Sequence, residues 1–116
     1  MLRLGSLTLD LPVVQAALSG YSDLPMRRVA RMLGASYTLN EVVLDRLVIQ
    51  KGRKRRTITT VHPDDHPVGG QLMGAEPRAF AQAADALVEA GYDVVDINFG
   101  CPVKKVLGRC RGGYLL

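Results

Sequence analysis

The chain has 116 residues, of which 47% are hydrophobic, with two cysteines and a formal net charge of +4. That length suits one domain with its own core. No apolar run approaches the roughly 18 residues needed to cross a bilayer, and Met1 to Asp10 lacks a signal peptide's apolar region, so a soluble cytoplasmic protein is expected. Cys101 and Cys110 lack the close Cys/His spacing of a zinc site, which argues against a metal, and they form no disulfide framework. The positive charge is uneven. Lys51, Arg53, Lys54, Arg55 and Arg56 form one cluster, and Lys104, Lys105, Arg109 and Arg111 another. Such clusters point to a polyanionic partner, or to a solvated loop.

Taken in order, Leu2 to Leu9 alternates about Gly5-Ser6 and predicts a small hairpin. Val13 to Leu18 is a compact apolar run containing Gln15 and predicts a buried strand. Ser22 or Asp23 caps a helix that accepts Pro25 in its first turn, carries Met26, Val29, Ala30 and Leu33, and stops at Gly34. Ser36 to Val43 predicts the next strand, with Asn40 and Glu41 near its exit. A short helix over 44–50 leads into the first basic cluster, and Thr57 to Val61 reads as a brief β segment. Val68 to Met73 is a strand containing Gln71. Its bare backbone at Gly69 and Gly70 suggests room for a ligand. Pro77 to Ala90 is a helix with Phe80, Ala83, Ala84, Leu87 and Val88 on one stripe and Gly91 at its end.

The last strand, beginning near Asp93, leads into Gly100-Cys101-Pro102. Side chains alternate along a strand, so Val94, Asp96 and Asn98 share one face while Val95, Ile97 and Phe99 share the other. Two polar groups on one face of an apolar strand need partners, because burying them unpaired costs about 1–3 kcal/mol each. Gly100 is expected to let the chain turn, and Pro102 to hold Cys101 extended at the exit, partly exposed. A helix is expected near Gly113. Alternation of strands and helices argues for a parallel α/β sheet with right-handed crossovers, and sites in such sheets lie at the carboxyl ends of the strands. The pattern alone leaves a doubly wound sheet and a barrel both open. A closed eight-stranded barrel needs about 250 residues, roughly twice this length.

Two segments carry a resemblance. Val14 to Arg27 (VQAALSGYSDLPMR) resembles the A-P-M-x-G-x-T-D-x-P-F-R signature of the tRNA-dihydrouridine synthases, and Asp96 to Leu116, with DINFGCPVKKV and GGYLL, is similar to that family's active-site strand and loop. Gly70 to Gly74 and Asn40-Glu41-Val42 resemble its V-Q-L-x-G and T-E-M segments. Ala17, Leu18 and Met26 stand where the signature has Pro, Met and Phe. The resemblance implies the N-terminal half of a TIM (β/α)8 barrel: about four parallel strands with helices and a small hairpin, with residues 1–116 forming part of an FMN-binding catalytic domain. It implies reduction of the 5,6 double bond of uridine in tRNA, with FMN as cofactor and NADPH as electron donor. Cys101 matches the family's proton donor, an apt role because an ordinary thiol titrates near ~8.5 and holds its proton at neutral pH. Asn98 matches the residue near the uracil edge. Gln71, Ala16, Ala17 and Leu18 match flavin contacts, and Lys104, Lys105, Arg109 and Arg111 are placed to meet tRNA phosphates.

The family's flavin-phosphate contacts and helical tRNA-binding domain match nothing in residues 1–116. A fragment unable to catalyse alone is therefore expected, with open strand edges through which it can self-associate. Two alternatives stand beside this reading. One is a flavin barrel acting on a free pyrimidine, since dihydroorotate-dehydrogenase-like barrels carry similar Asn-x-Gly/Ser-Cys-Pro strings. The other is a non-catalytic half-barrel that binds RNA or self-associates.

Overall fold

A computed structural model describes residues 1–116. The hairpin forms as expected, with β1 (Leu2–Leu4) antiparallel to β2 (Leu7–Leu9). The main sheet is parallel throughout: β3 (Val14–Gln15), β4 (Tyr37–Leu39), β5 (Val43–Leu44), β6 (Val68–Met73) and β7 (Val94–Ile97). Both β4 and β5 pair with β6, Leu39 opposite Gly69 and Val43 opposite Leu72, so they are two halves of one interrupted strand. The sheet is therefore four strands wide in sequence order, with β3 and β7 at its edges.

The interruption has a local cause. Asn40 donates its amide to the Gly69 carbonyl at 3.0 Å, then uses side-chain Oδ1 to accept the Gln71 amide at 2.9 Å. A side chain replaces one rung of the ladder. Asn40 Nδ2 donates to Tyr92 Oη at 3.0 Å, and that hydroxyl donates to the Ile58 carbonyl at 2.8 Å, so the buried amide is satisfied at both ends.

The helices are α1 (Leu24–Met32), α2 (Asp45–Ile49), α3 (Arg53–Ile58), α4 (Pro77–Glu89) and α5 (Lys104–Leu107), with a 3-10 turn over Gly112–Leu115. Asp23 caps α1 by accepting the Met26 amide at 3.1 Å. The larger core lies between the sheet and α2 and α4, where Val48, Val68, Leu72, Ala83, Ala86, Leu87 and Tyr92 are buried. Complete burial of a Val or Leu contributes about 1.5–3 kcal/mol, which makes this cluster the main support of the sheet. A second cluster of Leu9, Tyr37 and Leu39, packed by Leu7, Ala17 and Val94, fills the other face at the amino ends of the strands. The hairpin supplies Leu7 and Leu9, and so it closes that end.

Several expectations change. The strand over Val13 to Leu18 shrinks to Val14–Gln15, because the Leu18 carbonyl accepts from the amides of Tyr21 and Ser22 and its amide donates to Ser22 Oγ at 2.8 Å. The chain is already turning there. The β segment over Thr57 to Val61 is absent. Arg53 to Ile58 is helical instead, and Thr57, Thr59 and Thr60 donate their hydroxyls to carbonyls four residues earlier. Val88 is exposed on α4, as are Val29 on α1 and Leu33 just past its carboxyl end. The inward face of α1 is instead polar. Buried Arg27 donates through Nε to both carboxylate oxygens of fully buried Asp65 at 3.0 and 3.2 Å, and through Nη1 to the Ser22 carbonyl at 2.7 Å. Arg31 Nε lies 3.7 Å from the same carboxylate.

Gly69 and Gly70 admit protein side chains, not a ligand. A Cβ on Gly69 would stand 2.1 Å from Tyr37 Oη and 2.4 Å from Leu39 Cδ2, and one on Gly70 would stand 2.7 Å from Leu87 Cδ1. Gly69→Ala is accordingly expected to cost about 1–3 kcal/mol by overpacking, seen as a lower urea midpoint. An unchanged midpoint would show that Tyr37 and Leu39 yield freely.

Candidate active site

The inner face of the sheet changes character from its amino to its carboxyl end. Tyr37, Leu39 and Val94 are apolar packing, whereas one register step further Gln71 stands opposite Asp96. Burial, then the negative charges of Asp96 and Asp93, pushes the Tyr37 phenol up to about 12, so this face holds a neutral phenol at ordinary pH.

Above Tyr37 the polar side chains form a relay. Gln71 Nε2 donates to Asp96 Oδ2 at 2.7 Å, and Asn98 Nδ2 donates to Gln71 Oε1 at 2.9 Å. Asn98 Oδ1 accepts the amides of Gly100 at 3.2 Å and Cys101 at 3.0 Å. The shared face of Asp96 and Asn98 is thus real, and Gln71 is the partner that face required. The turn into Cys101 has a different origin from the expected one. Gly100 adopts no positive φ and has open space around its Cα, so its freedom is not needed. The Asn98 side chain folds back over the following backbone and makes the turn.

Cys101 is half-buried, just past the end of β7. Its carbonyl accepts the Gly113 amide at 3.1 Å, and Gly112, at φ 58°, lies so close that a Cβ there would meet Cys101 Cβ and Val106 Cγ1 at 3.0 Å. The Gly112-Gly113 pair is therefore a close-packing element behind the thiol. Cys110 is exposed, and its thiol raises the titration of the neighbouring Tyr114 hydroxyl.

The second basic cluster gathers as expected, with one exception. Lys105, Arg109 and Arg111 line a cleft of about 280 Å³ with Leu44, Met73 and Val106, at the carboxyl ends of β5 and β6. Arg111 Nε is buried there without a hydrogen-bond partner. Lys104 does not line this cleft. Ala16 and Leu18 lie exposed at the end of β3, with Ala17 half-buried between them. Glu41 makes no ion pair and instead accepts the Gly20 amide. A larger cleft of about 580 Å³ opens between α1 and α3, lined by Ser22, Asp23, Arg27, Asn40 and Tyr92 among others, and contains none of the relay or loop residues. His66 Nδ1 lies 2.8 Å from Asp93 Oδ2, a surface pairing away from Cys101.

A parallel α/β sheet whose carboxyl ends carry a thiol, an amide relay and a cationic cleft has its candidate site where parallel α/β folds place theirs. The profile of the family described as Dihydrouridine synthase (Dus) matches residues 14–116. The tRNA-dihydrouridine synthase B of Pseudomonas aeruginosa is 35% identical over 116 residues, which is all of this chain and 35% of that protein. The probable tRNA-dihydrouridine synthase of Rickettsia prowazekii is 33% identical over 117 residues, covering all of this chain and 36% of that protein. That of Rhodobacter capsulatus is 35% identical over 116, covering 99% of this chain and 36% of its own length. The chain belongs to the dihydrouridine synthase family. It spans about a third of the length of these relatives, and its sheet is part of the family's TIM barrel.

Proposed function

We propose that this chain is the part of a tRNA-dihydrouridine synthase that carries the proton donor and one wall of the flavin site, and that the complete protein reduces uridine in tRNA. The observation that carries this reading is the loop at Cys101. A thiol stands at the mouth of a parallel sheet, held through its backbone by Asn98 Oδ1 and Gly113 so that Sγ is left free for chemistry.

The residues present fit a flavin ring. Ala16 and Leu18 offer an exposed apolar shelf, and Gln71, with one Nε2 hydrogen and one Oε1 lone pair not used in the relay, offers hydrogen bonds to a polar ring edge. When bound and reduced by NADPH, the flavin supplies the hydride received at uracil C6. Asn98 holds the base edge. Cys101 Sγ gives its proton to C5, completing the addition of two electrons and two hydrogens across the double bond, and solvent returns the proton to sulfur. Lys105 and Arg109, with Lys104 beside them, bind phosphates flanking an extruded base. A cytoplasmic location belongs to the same reading.

The cations on and just before α3 form a second surface suited to phosphates, separate from the Lys105 cleft. The segment from Arg46 to Pro63 holds six of the chain's fifteen cations and none of its eleven acids, and Lys51, Arg53, Lys54, Arg55 and Arg56 enter no ion pair. Neutralising Lys104, Lys105 and Arg109 together is expected to flatten the dependence of log affinity for tRNA on log salt by about 2–3 units of slope. Filter binding from low to moderate salt measures it, and an unchanged slope removes these residues from the phosphate surface. A flavin band near roughly 450 nm in the complete protein separates the enzyme from a non-catalytic RNA-binding half-barrel, which lacks the band.

A further inference from the structure

The relay on the inner face has a direction, and that direction is fixed by chemistry at both ends. A carboxylate only accepts hydrogen bonds, so the Gln71 atom facing Asp96 at 2.7 Å is the amide nitrogen. Backbone amides only donate, so the Asn98 atom facing Gly100 and Cys101 is the amide oxygen. The middle bond, Asn98 Nδ2 to Gln71 Oε1, then follows without further choice. Reversing Gln71 would set oxygen against oxygen or hydrogen against hydrogen at two contacts, and reversing Asn98 would do so at three. We propose that Asp96 is a positioning residue that sets the polarity of this relay, so that Asn98 presents a hydrogen-bond donor, and no free acceptor, to a ligand over the inner face.

All but one of the hydrogen-bonding positions of the Asn98 side chain are taken. Both lone pairs of Oδ1 are taken by the two loop amides, and one Nδ2 hydrogen is taken by Gln71. One hydrogen remains. The group it reads must be an acceptor, such as a carbonyl oxygen of a pyrimidine, and not a ring N–H. This ligand half rests on the function proposed above. The positioning role of Asp96 does not, because every contact in it lies within the chain.

A charge swap tests the polarity. In Asn98→Asp alone, Gln71 lies between two carboxylates and its oxygen faces one of them in either orientation. One carboxyl must then retain a proton to act as donor. That protein is expected to melt lower than wild type at neutral pH and to regain stability as the pH falls, since a raised folded-state pKa stabilises only while the proton is held. Adding Asp96→Asn lets the relay run backwards. The amide introduced at position 96 donates to Gln71 Oε1, Gln71 Nε2 donates to the carboxylate introduced at position 98, and the loop amides still find a carboxylate oxygen. The double variant is expected to recover most of the lost melting temperature and to lose the added pH dependence. If Asn98→Asp does not fold, a folded double variant is itself the rescue. A single variant indistinguishable from wild type across pH, or destabilisations that merely add, would overturn the assignment. In the complete protein the double variant has no donor at position 98, so its affinity for uridine monophosphate is expected to fall roughly 5- to 150-fold, the worth of an unmet polar contact. Wild-type affinity in a rescued double variant overturns the ligand half. A closed cycle with no uridine monophosphate binding even by wild type counts against the proposed substrate and leaves the role of Asp96 standing.

Discussion

Cys101→Ala in the complete protein is expected to reduce the rate of uridine reduction by roughly 10² to 10⁴ while leaving flavin bound. The loop geometry explains why the loss is chemical and not structural. Cys101 is held by its own N–H, which donates to Asn98 Oδ1, and by its carbonyl, which accepts from Gly113. The close packing of Gly112 is against Cβ, which alanine keeps. None of these contacts uses Sγ. Cys101→Ser adds a control, because it restores a hydroxyl of similar size that is a much weaker acid. It should resemble alanine in rate and wild type in flavin content. The rate at which tRNA reoxidises the reduced protein measures both variants. Turnover within a few-fold of wild type in Cys101→Ala would remove the thiol from the mechanism.

The largest stability effect is expected at Asp65. Its carboxylate is fully buried, is bridged by Arg27, and has Arg31 nearby. Removing one partner of a buried pair leaves an uncompensated charge, at a cost of about 3–5 kcal/mol. In Asp65→Ala two guanidinium groups are left without their anion, a large share of the roughly 5–15 kcal/mol that holds a domain together. Urea unfolding of Asp65→Ala should show a sharply lower midpoint with little change in slope. Arg27→Lys should also fall below the wild-type midpoint, because an ammonium cannot form the forked contact. The contrasting pair is Arg28 with Asp64, which is solvent-exposed although Arg28 holds the Asp64 carboxyl below its ordinary range. Asp64→Ala should leave the midpoint near wild type, since screening leaves exposed pairs little net effect. Equal effects at the two positions would contradict the burial argument.

Much of the architecture could be read from periodicity. The hairpin carries clear alternation and α4 a Pro-to-Gly frame, and both, with β6, form at or near their expected bounds. Segments governed by tertiary partners were less legible. The β-branched residues near Thr57 suggest a strand, yet Arg53 to Ile58 is helical and the hydroxyls of Thr57, Thr59 and Thr60 are satisfied by carbonyls four residues earlier. The stripe on α1 suggests an apolar inward face, but Arg27 reaches a carboxylate 38 positions away, a pairing that no local pattern reveals. Asn40 looks like a residue at a strand exit, whereas its side chain replaces a rung of the ladder. At the site, strand parity already placed Asp96 and Asn98 together. The register that makes Gln71 their common partner required the neighbouring strand. The family motifs led to Cys101, and the hydrogen bonds explain how it is held.

Nucleoside analysis of the product shows directly whether the complete protein reduces uridine in tRNA. The complete protein, with FMN and NADPH, is incubated with unmodified tRNA, with free uracil and with orotate in parallel. Dihydrouridine appearing in the digested tRNA, with no turnover of the free pyrimidines and none in tRNA treated with Cys101→Ala, is the predicted result. Unmodified tRNA alongside turnover of a free pyrimidine would show that tRNA is not the substrate.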